Sequence, residues 1–357
     1  MTLRGIVMNG PSPSVDFIQH PLIYVERQVE IGKRLIIVAE SNKGQYYEPT
    51  LVYGKEMVID IFDSGPIVQC YEDATSIDEN LNVFLMRMEP NRFDIVFTVL
   101  ETFDFDLLYL DEVQFDKHSE LIDNYIRFAK IKEDKGNLVH CIMSLSLQNK
   151  FSDIEKHFNK INNLTKELSG DDLEESGKYL SLVINQMEFN KASAVYAGVL
   201  AAINPEISPI NKTIPNVKLE AEFTKEQILK LREVGIVCFK NTFKKGIVCS
   251  SSSCAVSTAD SVHKHISNFR IAQEIINEIA RSLEVFIGKP NITYQASNIE
   301  EIIEALCLRR ILDRKIRDYD YSIKISELYG IIEVNIEVVP IFSVHKITGH
   351  SIVRIYK

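Results

Sequence analysis

"AGVLAAINPEISPINKTIPNV", residues 197–217, begins as a helix of small residues and ends as a run that no helix can continue. Over Lys191–Ile203 the spacing predicts a helix on which Ala194, Ala197, Gly198, Ala201 and Ala202 recur every three or four positions. Such a face carries no bulk, so another backbone can approach it closely. Pro205, Pro209 and Pro215 follow. Each fixes its own φ and biases its predecessor toward extended structure, so the next stretch is held out of helix.

Upstream, from about Lys33, strands and helices alternate. "RLIIVA", "NVFLMRM", "DLLYLD", "VHCIMSLS" and "YLSLVINQ" read as strands, several apolar on both faces; "SELIDNYIRFAKI" and "DIEKHFNKINNLTKEL" read as helices between them. This alternation predicts a mixed, largely parallel sheet covered by helices, an α/β fold. Downstream, "TKEQILKLREVG" predicts a helix with Thr224 as N-cap and Gly235 just past its end. "SSSSCAVSTADS" reads as a polar loop, followed by a long amphipathic helix from about Ser261 to Phe286 and a second over Ile299–Arg317. In "GIIEVNIEVVP" Ile332, Val334, Ile336 and Val338 alternate with polar residues, a half-buried strand stopped by Pro340. "PIFSVHKI" is another. Short strand patterns also stand near both ends, "PLIYVE" at 21–26 and "SIVRIY" at 351–356.

Composition narrows the function classes. A net charge of −10 over 357 residues argues against a general nucleic-acid binder and against docking on anionic lipid. Apolar runs such as "LIIVA" are far shorter than the ~20 residues of a membrane helix, and the N-terminus lacks a signal-peptide block, so assembly in a cytoplasm is expected. Six scattered cysteines read as reduced, mostly buried thiols. "YGKEM" and "IGKP" lack the glycine spacing of a phosphate loop, and neither a dinucleotide fingerprint nor a nucleophile elbow occurs. Cys249, Cys254, His263 and His265 do not have a familiar zinc spacing, and His118, His140 and His157 stand beside no motif. No cofactor, metal or catalytic residue is expected. The helix over Ile299–Arg317 starts acidic, with Glu300, Glu301 and Glu304, and ends with Arg309, Arg310, Arg314, Lys315 and Arg317. Alignment with the helix dipole and contact with an acidic partner both explain that gradient.

The opening stretch resembles the Ala-Gly…Pro-x-Asn-Lys…Val signature of contractile tail sheath proteins, through Ala197, Gly198, Pro209, Asn211, Lys212 and Val217. Gly235, Ile236 and Arg270 match in the elements that follow, and "EVNIEVVPIFSVHKI" is similar to that family's final β-region. The order of motifs is specific over residues 190–357, whereas 33–190 agrees only in coarse α/β character. Asn216 stands where the family has Gly, one Arg where two are common, and there is no Trp. Asn tolerates positive φ, so the first departure is benign.

The resemblance implies a structural subunit of a phage, tailocin or contractile injection system. Subunits would stack as hexameric rings around a tail tube and contract to drive it through a cell envelope, without enzymatic chemistry. It implies an N-terminal arm (1–30), a variable α/β domain (31–245), an α+β polymerising domain (246–348) and a C-terminal arm strand (349–357). Expected partners are other copies, the tube protein, and baseplate and tail terminator proteins, with no nucleic acid and no membrane insertion. Strand exchange would use Ile23, Tyr24, Val25, Ile352, Val353, Arg354 and Ile355, although both end strands could also pair within their own subunit. The cationic end of Ile299–Arg317 would face the tube. Two rivals are a non-contracting tail or baseplate paralogue and an α/β hydrolase-like enzyme.

Overall fold

The computed structural model describes residues 29–114, 118–146, 159, 176–256, 261–289, 292–326 and 331–341. At its centre is a seven-stranded sheet of β1 (Leu35–Ala39), β2 (Thr50–Val52), β3 (Val83–Arg87), β4 (Leu107–Gln114), β5 (His140–Leu145), β6 (Leu180–Ile184) and β7 (Ile236–Val237). The spatial order is β2-β3-β1-β4-β5-β6-β7, with β2 antiparallel to β3 and every other pair parallel. Every residue of β1 and β6 is buried. That is why these strands read as continuous apolar runs: both faces of a parallel sheet are covered.

The covering helices are α1 (Lys55–Phe62), α2 (Pro66–Thr75), α3 (Phe93–Leu100), α4 (Ser119–Asp134) and α5 (Ala192–Ala202). Helices α2 and α5 pack on each other and on the sheet. Phe97 of α3 stacks on Phe128 of α4 at 5.2 Å, and Phe128 in turn lies over Phe105. The expected helix over 153–168 falls outside the described residues but for residue 159, which is helical, and the patterns at 21–26, 342–347 and 351–356 fall outside them altogether.

Helix α6 (Lys225–Glu233) lies between β6 and β7, and after β7 come the hairpin β8 (Phe239–Thr242) and β9 (Gly246–Cys249), α7 (Ile266–Leu283), α8 (Ile292–Leu312), and the hairpin β10 (Ile316–Ser326) and β11 (Ile331–Pro340). Thr224 caps α6 as expected, accepting from Gln227 N while Gln227 Oε1 accepts from Thr224 N, and Gly235 follows the helix with φ 80°.

Helix α7 belongs to two cores. Ile266 and Phe269 join the sheet's core, whereas Ile271, Ile275 and Ile279 pack with Ile299, Ile303 and Cys307 of α8 under the β10–β11 hairpin. A polar stripe on α7 is also buried. Gln273 Nε2 donates to the carbonyls of Asp106 (2.7 Å) and Leu138 (2.9 Å). Asn277 accepts from Leu138 N at 2.7 Å and donates to Asp106 Oδ1 at 2.9 Å. Arg270 Nη2 donates to the carbonyls of Gly32 and Ile203, both at 3.0 Å. Asp106 also receives Arg34 bidentately, at 2.9 and 2.8 Å. The Gly32 carbonyl before β1 and the Leu138 N–H and carbonyl before β5 find their partners on α7, while the Asp106 carbonyl before β4 also accepts from His140 N, so α7 closes that end of the sheet.

Two expectations are corrected. The second C-terminal helix ends at Leu312 rather than Arg317: Arg314 turns the chain at φ 58°, Lys315 N bonds Arg310 O, and a strand begins at Ile316. Tyr319, Tyr321 and Ile323 alternate with exposed residues and face the second core opposite Val338, Ile336 and Val334, and this period-two face makes the segment a strand. The serine loop is a loop, but its first half is not a solvated one: Ser250, Ser251, Ser252 and Ser253 are all buried. Ser250 Oγ donates to Cys238 O, which also accepts from Ser250 N, and Ser251 Oγ donates to Ile236 O, so hydroxyls extend the backbone bonding there.

Candidate assembly surface

The small-residue signature points inward. All of α5 from Ala192 to Ala201 is buried, and a Cβ on Gly198 would lie 1.8 Å from the carbonyl oxygen of Ala74. The backbone that approaches Ala197 and Gly198 is thus the chain's own α2. The proline stretch is stitched on as well. Pro209 is buried, Asn211 turns the chain at φ 60° and its N–H donates to Cys249 O at 2.9 Å. Lys212 O accepts from Cys249 N, and Ile214 N donates to Ile247 O, so the stretch runs antiparallel beside β9 through an isolated bridge of Thr213 to Val248. Asn216 takes φ 57°, the left-handed conformation that asparagine tolerates.

The five cations divide. Lys315 Nζ lies 2.8 Å from Glu274 and 3.3 Å from Glu206; Arg310 Nη2 lies 3.2 Å from Glu274 and also bonds Glu278. Both side chains are nearly buried, at 14% and 11% exposure. They lock the base of the hairpin to α7 and to the loop after α5. Arg309, Arg314 and Arg317 are exposed instead. The anionic partners Glu206, Glu274 and Glu278 gave no motif, because their grouping comes from three separate segments.

The β10–β11 hairpin is a two-stranded sheet with no third strand among the described residues. Along β11, from Ile332 to Glu337, runs a cleft of about 1360 Å³. Ile276, Ile279, Ala280 and Leu283 of α7 contribute its apolar lining, while Glu133, Asp134, Glu284, Glu333 and Glu337 outnumber Lys135 and Lys289 among its charged groups. A free strand edge beside apolar surface is the arrangement that accepts an added strand. The proposed exchange residues Ile23, Tyr24, Val25, Ile352, Val353, Arg354 and Ile355 lie outside the described residues.

The His140–Ser181 pair is sealed. His140 Nε2 is 2.8 Å from Ser181 Oγ and Nδ1 is 3.0 Å from Lys178 O, but both side chains are fully buried. Burial, more than the opposing carbonyl bond, drops the imidazole to about 3, so it is neutral. All six cysteines are buried free thiols, and burial pushes Cys249 up to about 12. Among the described residues no group of three or more His, Cys, Asp or Glu could hold a metal ion, and no helix is long and apolar enough to cross a membrane.

No protein-family model and no curated protein matches the chain. Solved structures do. A chain of the anti-feeding prophage baseplate is similar with TM-score 0.68 at 13% identity, over 98% of this chain and 100% of that one. The sheath complex of the extracellular contractile injection system PVC, in its contracted state, is similar with TM-score 0.66 at 10% identity, over 97% and 98%. A sheath tail protein from Listeria innocua is similar with TM-score 0.66 at 10% identity, over 88% and 93%. The chain has the fold of contractile-sheath subunits.

Proposed function

We propose that this chain is a non-enzymatic subunit of a contractile sheath, assembling as stacked hexameric rings around a tail tube and contracting to drive that tube through a cell envelope. The observation that carries the reading is the edge of β11, which no described strand covers, beside a cleft that is part apolar and part acidic, in a chain with a sheath-type fold. The cleft calls for an extended segment with alternating apolar residues. Residues 351–356, "SIVRIY", have that pattern, and residues 342–357 carry Lys346, Arg354 and Lys357 with no carboxylate. That charge complements the acidic rim. Residues 1–28 have two cations and two carboxylates and match it less well. Each main-chain bond of an added strand contributes a net ~0.5–1.5 kcal/mol, so a few bonds per arm link subunits while their bodies move.

On this reading the divisions 1–30, 31–245, 246–348 and 349–357 are arm, variable domain, polymerising domain and arm. The tube-facing surface rests on Arg309, Arg314 and Arg317, since Arg310 and Lys315 are engaged internally. Contraction is a switch between two packings of one chain and needs no cofactor. A non-contracting tail or baseplate paralogue is the second reading, favoured by the likeness to a chain from a baseplate.

Deleting residues 349–357 tests the proposal by negative-stain imaging. The expected outcome is a folded monomer that forms no tubes where the full chain does. A truncated chain that still builds ordinary sheaths removes the C-terminal arm from the assembly.

A further inference from the structure

The β8–β9 hairpin ends in a tip that its own fold does not account for. Thr242 lies opposite Gly246, which turns at φ 68°, and Thr242 Oγ1 donates to Gly246 O at 3.0 Å, so residues 243–245 form a tight three-residue turn. Turn positions ordinarily take Gly, Asn, Asp, Ser or Pro. This turn carries Phe243, Lys244 and Lys245 instead, all exposed, and Phe243 at 106% is as open as in an extended peptide. The tip is firmly held, because β9 is braced along its other side by backbone bonds to Asn211, Lys212 and Ile214. Among the described residues no carboxylate pairs with Lys244 or Lys245, and Lys245 Nζ lies 3.5 Å from the Asn211 carbonyl.

A matching surface stands at the other edge of the sheet. β2 runs into α1, which buries Val58 and Phe62 and exposes Glu56, Ile59 and Asp60 together at i, i+3 and i+4. Ile59 is 41% exposed, and among the described residues neither flanking carboxylate has a cation of its own. β2 and β7 are the outermost of the seven strands, and six spacings of ~4.8 Å put about 29 Å between them. The tip after β7 and the face after β2 lie too far apart to meet within one copy.

We propose that Phe243, Lys244 and Lys245 dock on Glu56, Ile59 and Asp60 of a second copy, the phenyl ring covering Ile59 and the two ammonium groups facing the two carboxylates. This rests on the sheath reading and adds to it a contact between the sheet-bearing bodies, separate from the arms. A second copy is the occupant because the two surfaces match in charge and in their single apolar group, in a chain whose net charge of −10 makes a lysine tip the exception. Patches at opposite edges of one sheet make a heterologous, head-to-tail contact, which closes into a ring where the rotation allows. Exposed charges are screened by salt, so this contact gives way before main-chain bonds do.

Charge reversal with rescue, on the full chain, tests the pairing. Lys244→Glu with Lys245→Glu should raise the concentration needed for assembly by about tenfold in sedimentation, and so should Glu56→Lys with Asp60→Lys. All four positions are exposed, so both monomers should melt as the parent does. A chain carrying both reversals should return to the parent's threshold. That threshold should rise with salt in the parent, and the rise should shrink in either reversed pair. When Phe243→Cys chains are mixed with Ile59→Cys chains, assembly should yield the mixed disulfide dimer, since the native cysteines are buried. Reversed pairs that assemble at the parent's threshold overturn the proposal and leave the sheath reading standing. A tip reversal that weakens assembly without rescue by the α1 reversal also overturns it, and assigns the tip to another acidic surface. A parent chain that builds no assembly overturns both readings.

Discussion

Gly198 and Asn216 answer the same sequence motif in opposite ways. Gly198 has no room: its added Cβ would meet the Ala74 carbonyl at 1.8 Å, a backbone atom that cannot step aside. Gly198→Ala should therefore exceed the usual overpacking cost of ~1–3 kcal/mol and lower the melting temperature sharply. Asn216→Gly should leave the melting temperature within a degree or two, because the left-handed turn is already made at φ 57°. His140 supplies a pH dependence. Its imidazole is neutral in the fold, down to about 3 from an ordinary 6.5, mainly through burial. Between those values the unfolded chain binds a proton that the native chain does not, so stability falls as pH drops below 6.5, by up to ~1.4 kcal/mol per pH unit. His140→Gln should flatten that slope in urea titrations at pH 7 and pH 5; an unchanged slope would place the acid sensitivity elsewhere.

At the scale of elements, the parallel strands were legible because burial on both faces writes itself as unbroken apolar runs. The cap and stop of α6 were legible from Thr224 and Gly235. The strand β10 was not, because the helical run of Ile299–Leu312 continues into Arg314, Lys315 and Arg317, all good helix formers. Tyr319, Tyr321 and Ile323 carried the signal, a switch of period from 3.6 to 2. The burial of Ser250–Ser253 was equally hidden, since it depends on carbonyls of Ile236 and Cys238 that only the fold brings near. For the assembly surface, the sequence showed the candidate donor strands but not the cleft, whose walls come from α4, α7, α8 and β11. The split among the cations also follows from the fold, and it is testable. Arg310→Glu should destabilise the chain by ~3–5 kcal/mol, as breaking a buried ion pair does, and should be visible in denaturant unfolding. Arg309, Arg314 and Arg317 reversed together to Glu should leave folding intact, while association with the tube weakens and loses its salt dependence. Tube binding unaffected by that triple reversal would exclude this surface.

For the whole molecule, α7 decides whether there is one folding unit or two. Its side chains enter both cores, so the sheet and the hairpin should unfold in a single transition. Asn277→Ala leaves Leu138 N and Asp106 Oδ1 short of a partner each, at about 1–3 kcal/mol for a buried group left unmade. Far-ultraviolet circular dichroism and exchange at Ile332–Val338 should register that loss together. The polar stripe on α7 also has a consequence for synthesis. Residues 270, 273 and 277 leave the ribosome after all seven strands, so a nascent chain halted at residue 256 has buried carbonyls with nothing to meet them and should remain open to protease. One halted with residue 289 clear of the ribosome should resist. The body thus closes late, and the β10–β11 hairpin with its own small core emerges after it. Translation order itself makes that second core the last part of the described chain to fold.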